Sequence, residues 1–196
     1  ASDDVVNKIL AAIEEKLKKC SFASKETGLD IEAKVLGRIS RLKQEVISPW
    51  DGLSLLMPSS WPFEINKEEK TLVSRVTGYE EAMLFLNCDE IKIPSETKIT
   101  SDYMQHIASS IGADESVKDI SLLSTGKDTY LISCNKAEID QEAGVTLNNY
   151  FWHIFALKED ILKRLHFTYV FPNINDMFLS SLINVLNENI KNLKLD

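Results

Sequence analysis

This chain is poor in the residues and patterns from which chemistry is commonly built. It has three cysteines, Cys20, Cys88 and Cys134, in 196 residues. Their number is odd and no CxxC pair occurs, which argues against a disulfide framework or a thiolate metal site and favours a reducing compartment. Each lies in or beside an apolar pattern and reads as a small buried hydrophobe. No apolar run approaches the roughly 18 residues of a membrane-spanning helix. The opening ASDDVVNKIL lacks the basic-then-apolar profile of a secretory signal. The expected location is therefore cytoplasmic, with an extracytoplasmic one as the alternative if a leader has been removed.

Nucleophile elbow, HExxH and dinucleotide fingerprints are all missing. The tempting STGKDT is no P-loop, because the Gly required five residues before the Gly126-Lys127 pair is Ser121 and the hydroxyl residue required after it is Asp128. It reads as a hairpin turn. Repeats, low-complexity tracts and Gly/Ser linkers are absent as well. Positive charge is also in short supply. The net charge of −8 argues against nucleic acid or an anionic membrane as the principal partner. Up to Ser48 there are nine basic and eight acidic residues, and from Pro49 onward thirteen and twenty-two, so a near-neutral arm precedes an acidic body.

What is present is clear periodicity. Val6, Leu10, Ile13 and Leu17 predict an amphipathic helix ended by SKETG. Asp30 then caps a second helix carrying Ile31, Val35, Ile39, Leu42 and Val46, closed by Pro49. Residues 1–48 are thus expected to form a helical hairpin arm whose seam must be buried in itself, on the body or on another chain. In residues 49–196 the period changes to two. DGLSLLMP, TLVSRVT and EAMLFLNC predict strands with turns at Pro58, Pro62 and Gly78. A helix follows in TSDYMQHIASSIG, capped by Thr100 or Ser101, with Tyr103, Met104, Ile107, Ala108 and Ile111 inward and Gly112 at its end. Four more strands, VKDISLLS, TYLISCN, LNNYFWHIFAL and ILKRLHFTYVF, form a meander. A long helix with the stripe Phe178, Leu179, Leu182, Leu186, Ile190 and Leu193 closes the chain behind an Asn173 or Asn175 cap. The fold class is α+β, an antiparallel sheet of about six to seven strands packed on helices.

The last two strands carry two of the three histidines. A loop centred on Glu159-Asp160 places His153 opposite His166, Trp152 opposite Phe167 and Tyr150 opposite Tyr169. One face, with Trp152, Ile154, Leu165, Phe167 and Tyr169, is core. The other, with Phe151, His153, Phe155, Leu157, Leu162, Arg164, His166 and Thr168, is mixed and needs a cover for its apolar half. Two histidines are half a zinc site. Their diagonal neighbours Phe151, Phe155, Arg164 and Thr168 supply no third ligand, and Arg164 repels a cation. No metal or other cofactor is expected. His106 falls on the polar side of its helix and reads as solvated. The acidic pairs Glu68-Glu69, Glu80-Glu81 and Glu159-Asp160 fall in predicted turns, where carboxylates are usually there for solvation.

Trp50 and Trp61 bracket the first strand. Either they seal the end of the sheet, or one of them is an exposed interface anchor. The order of strands, short helix, four-strand meander and long C-terminal helix, opened by an aromatic-flanked strand and the P-x-x-W turn Pro58 to Trp61, resembles the PsbP-like fold family over about residues 50–195. That family includes photosystem extrinsic subunits, a Ran-binding nuclear transport factor and bacterial adaptor chaperones of the Eag type. The helical arm departs from its usual members. The resemblance implies a non-catalytic protein-binding or assembly role. A protein partner or a homodimer, engaged through Phe151, His153, Phe155, Leu157, Arg164, His166, Trp50 or Trp61, is accordingly the expected function, with no enzyme activity. The competing expectation is a small-ligand carrier or enzyme with a pocket between sheet and helices, lined by Trp152, Phe167 and Tyr169.

Overall fold

The structure is a computed structural model that describes residues 31–141, 144–173 and 176–195. The chain divides into two compact units, Ala1–Arg41 and Leu42–Asp196. In the first, residues 31–39 form helix α1. The expected helix through Val6, Leu10, Ile13 and Leu17, and Cys20 with it, lies outside the described residues. α1 is shorter than its periodicity predicts. It gives out in a turn at Ser40, whose hydroxyl donates to the Gly37 carbonyl. Leu42 and Val46 are therefore not on a helical seam. Gln44–Ile47 is strand β1, paired antiparallel with β2, Leu53–Pro58, so that Ile47 is buried while Val46 is exposed. A spacing of four fits a helix and an alternate strand position equally, and the ladder to β2 decides between them.

The remaining elements are β3 Phe63–Asn66, β4 Thr71–Val76, β5 Tyr79–Lys92, α2 Ser101–Ile111, β6 Val117–Gly126, β7 Thr129–Asp140, β8 Val145–Lys158, β9 Ile161–Pro172, α3 Met177–Lys191 and β10 Lys194–Leu195. Seven strands make one antiparallel sheet in the order β3-β4-β5-β9-β8-β7-β6, and β1-β2-β10 make a small second one. The α+β class agrees with the sequence, and the large sheet has the expected size, although DGLSLLMP is β2 of the small sheet and the unforeseen β3 takes the seventh place. Tight hairpins are possible because their turn residues accept positive φ: Gly78 at 84° between β4 and β5, Asp128 at 55° between β6 and β7, and Glu159 at 58° between β8 and β9. Glu68-Glu69 and Glu159-Asp160 do sit in turns, whereas Glu80-Glu81 lies exposed at the start of β5.

The main core lies between the inner face of the large sheet and α3. Leu72, Leu84, Leu86, Trp152, Ile154, Leu165, Phe167 and Tyr169 are buried on the sheet side, and Phe178, Leu179, Leu182, Leu186 and Ile190 on the helix side. At about 1.5–3 kcal/mol for each large apolar side chain, this layer dominates the gross stabilisation. The polar atoms of Trp152 and Tyr169 are tied down. The Trp152 indole donates to Asn187 Oδ1 at 2.6 Å, and the Tyr169 hydroxyl donates to the Leu179 carbonyl at 3.3 Å. α3 is capped by Asp176, one residue beyond the expected Asn175, and its carboxylate accepts from the backbone N–H of Phe178 and Leu179. Carboxylate and amide compete for this role, and the charged group gains from the helix dipole.

β5 lies inside the large sheet and β6 at its edge, so the chain between them crosses the outer face and brings α2 with it. Ile99, Met104 and Ala108 pack there on Ile132, with Phe155, Leu157 and Leu162 against the cluster. Thr100 caps α2 as expected, its hydroxyl accepting from the Tyr103 N–H. Tyr103 does not turn inward. It is 57% exposed, while Met104 and Ala108 are buried on the sheet and Ile107 and Ile111 pack beside them, as expected. Gly112 ends α2 in right-handed conformation, φ −73°, instead of the left-handed cap its type suggests. Space explains the glycine, since a Cβ there would come within 2.6 Å of Ile120 Cδ1.

Candidate interaction surface

The outer face of the large sheet is organised by the β8–β9 hairpin. Its register is the one expected: His153 faces His166, Phe151 faces Thr168, Phe155 faces Arg164 and Leu157 faces Leu162. On one side β9 pairs with β5, which brings Asp89 beside Arg164, Asn87 beside His166 and Phe85 beside Thr168. On the other, β8 pairs with β7, which sets Cys134 beside Phe151 and Ile132 beside His153. The face therefore changes character along the hairpin. Its end at Phe155 and Leu157 is covered by α2. Its middle holds the histidines, and beyond them Phe151, Thr168, Phe85 and Val73 form a partly exposed apolar and aromatic stretch outside the α2 cluster.

The two imidazoles are in direct contact. His153 Nδ1 and His166 Nδ1 lie 2.6 Å apart, their rings crossing at 72°, and Phe151 stacks parallel to His153. Such a separation is an N–H···N hydrogen bond, in which one ring donates and the other accepts. It is too short for these two nitrogens to share a metal, because zinc held at about 2.0–2.1 Å from each in tetrahedral geometry needs them more than about 3 Å apart. Among the described residues no group of three or more His, Cys, Asp or Glu side chains is placed to hold a metal ion. Burial first, and then the neighbouring His166, pushes His153 down to about 4. His166 is also lowered, by burial first, with Asp89 opposing and Arg164 reinforcing the shift. The pair is neutral at pH 7.

Arg164 extends the polar part of the face. Its guanidinium donates through Nε and Nη2 to the two Asp89 oxygens at 2.6 and 2.8 Å, a bidentate clamp on a half-exposed pair. That clamp raises the Arg164 pKa. Being internally neutralised, the pair lends the face a fixed dipole and little net charge.

Six of the eight residues singled out from the sequence thus share one face: Phe151, His153, Phe155, Leu157, Arg164 and His166. Trp50 and Trp61 do not join them. They are 8% and 3% exposed, which leaves neither indole as a surface anchor. Trp152, Phe167 and Tyr169, the walls of the alternative pocket, are at most 1% exposed and packed under α3, so the space between them is filled by side chains. His106 is exposed on α2, as expected. Cys88 and Cys134 are free and buried, with thiols pushed up by burial. The sequence reading missed the contributions of Phe85, Asn87 and Asp89. Their alternation in β5 was visible, but which strand would neighbour β9 was not.

No family model matches this chain, and no curated protein matches it. It is similar to LpqN of Mycobacterium tuberculosis, a protein described as involved in cell envelope biogenesis, with a TM-score of 0.53 and 11% identity over 81% of this chain and 93% of that one. A structure from Bacteroides thetaiotaomicron VPI-5482 aligns with a TM-score of 0.48 and 14% identity over 79% of this chain, which spans 48% of the length of the other. At such identities the likeness to LpqN is one of fold alone. Among the described residues no helix is long and apolar enough to cross a membrane.

Proposed function

We propose that this chain is a non-catalytic binding module that engages a protein partner through the outer face of its large sheet. The observation that carries the reading is the contrast between the two faces. The inner one is packed under α3 over Trp152, Phe167 and Tyr169, and the polar atoms of Trp152 and Tyr169 are bonded. The outer one carries Phe151, Phe85 and Val73, partly exposed, beside a neutral histidine pair and a self-paired Asp89–Arg164 clamp. Apolar and aromatic groups rimmed by fixed polar ones are the composition of protein interfaces, in which a few aromatic residues supply most of the binding energy. The PsbP-like resemblance of the sequence supports the same role. The envelope-biogenesis description of LpqN is compatible with it, and a shared fold does not carry a shared function.

The test is a photo-crosslinking amino acid placed at Phe85 or Phe151, with Ser121 on the edge strand β6 as control. A discrete cross-linked species is expected from the two sheet positions and not from Ser121. If that species has twice the mass of the chain, the partner is a second copy. Phe151→Glu should abolish it while leaving the unfolding midpoint within about 1 kcal/mol. Equal cross-linking from all three positions, or none from the sheet face, would overturn the reading.

A further inference from the structure

At the opposite end of the sheet from α2's C-terminus, the β6–β7 turn meets the C-terminal segment around an open cleft of about 370 Å³. Leu131, Ile154 and Ile190 line it, all buried core residues, together with Thr129, Lys191 and Lys194. A second cleft of about 190 Å³ shares Thr129 and Leu195 with the first and is lined by Lys127, Lys158 and Lys163. We infer that these adjoining clefts form a binding site for a small anionic amphiphile, a molecule with a carboxylate or phosphate head and an apolar tail. This site is separate from the proposed protein-binding face and does not depend on it.

The argument rests on charge and on the floor. Beyond Pro49 the chain carries thirteen basic residues against twenty-two acidic ones, yet five lysines line these two clefts and, among the described residues, no carboxylate does. Lys191 is paired with Glu188 at 3.1 Å, whereas Lys127, Lys158 and Lys194 have no ion-pair partner among the described residues. The acids nearest in sequence to Lys127 and Lys158 are Asp128, Glu159 and Asp160, and the last is drawn to Lys92 at 3.2 Å. Solvated lysines on turns are common and by themselves need no ligand. Here they rim a floor of Leu131, Ile154 and Ile190, with a threonine hydroxyl at the junction. A free inorganic anion would engage the rim and leave the floor wet, and a neutral apolar molecule would leave the ammonium groups unused. A head group among the lysines with a tail on the floor satisfies both, and the cleft falls in the size range of small-ligand sites.

Titration calorimetry of the full chain with decanoate and with decyl phosphate, below their micellar concentrations, tests the proposal. Saturable one-to-one binding is expected, with decanol, decyltrimethylammonium and inorganic phosphate each at least about tenfold weaker. The triple substitution Lys127→Gln, Lys158→Gln and Lys194→Gln should weaken decanoate by about tenfold without moving the unfolding midpoint. Amide shifts on binding should centre on Thr129 and Leu193. Decanol binding as well as decanoate, inorganic phosphate binding as well as decyl phosphate, or indifference to the triple substitution would each overturn it. So would capture on anionic vesicles without binding of the monomeric amphiphile, which would make the lysines a membrane-surface patch.

Discussion

A histidine buried against a second one accepts a proton reluctantly, first because burial penalises the charged ring and then because of its neighbour His166. His153 is held near 4 in the folded chain against 6.5 for the free side chain. Because the folded value is lower, the unfolded chain binds more protons between these two values. Stability is therefore full above pH 6.5 and is lost as pH falls toward 4, with no further loss from this group below that. The contribution is on the order of 2 kcal/mol. His153→Phe keeps an aromatic ring against Phe151 and removes the titration. Urea unfolding at pH 7.5 and at pH 4.5 should show a drop smaller by about 2 kcal/mol in the variant than in the parent, the carboxylates near 4 being common to both. Parallel drops would mean that the pair is more open to water than its contacts imply. The Asp89–Arg164 clamp belongs to this scale too: half-exposed and bidentate, it orients more than it stabilises.

At the scale of elements, hairpins were the most legible parts of the sequence. Period-two patterns bounded by two-residue turns leave a single register, so His153 opposite His166 and the division of β8 and β9 into two faces could both be read directly. Helix ends were less legible, because Asn173, Asn175 and Asp176 are all residue types competent to cap, and the pattern alone does not say whose side chain will accept from the Phe178 and Leu179 N–H groups. The cover of the outer face was not legible at all. Nothing local in TSDYMQHIASSIG says that its strand neighbours lie in the middle and at the edge of one sheet, which is what draws α2 across Phe155 and Leu157. Two substitutions in α3 have opposite predicted signs. Asp176→Ala removes the acceptor for two backbone N–H groups and should cost about 1 kcal/mol. Asn189 is buried, and its Nδ2 has no partner among the described residues. Asn189→Leu, which keeps the branching and the number of side-chain heavy atoms and removes the unpaired amide, should stabilise the chain by about 1 kcal/mol. Chemical denaturation measures both, and a destabilised Asn189→Leu would reveal a water or partner for that amide.

For the whole molecule, the boundary between arm and body is the feature on which sequence and structure part. Charge and helical spacing put it at Ser48, while the compact units divide between Arg41 and Leu42. The seven residues in dispute are not a neutral spacer, because four of them are β1. That strand is the edge of the small sheet, pairing Gln44 with Pro58 through Ile47 with Leu55, and it places Ile47 in the core. Beside it, the backbone N–H and hydroxyl of Ser59 both donate to the Lys43 carbonyl. A chain beginning at Leu42 keeps all of this, whereas one beginning at Pro49 loses the ladder, uncovers β2 and exposes the apolar surface that Ile47 buries. Burying one isoleucine is worth about 1.5–3 kcal/mol, so the Pro49 chain should be less stable by at least about 2 kcal/mol and should bind more of a hydrophobic dye. The comparison is between the two truncations and needs no assumption about where the arm lies. Equal unfolding midpoints would show that β1 adds nothing to the body and that the boundary belongs at Ser48 after all. A deficit confined to the Pro49 chain would mean that Gln44–Ile47 belongs to the sheet, and that its helical spacing in the sequence is a coincidence of two periods.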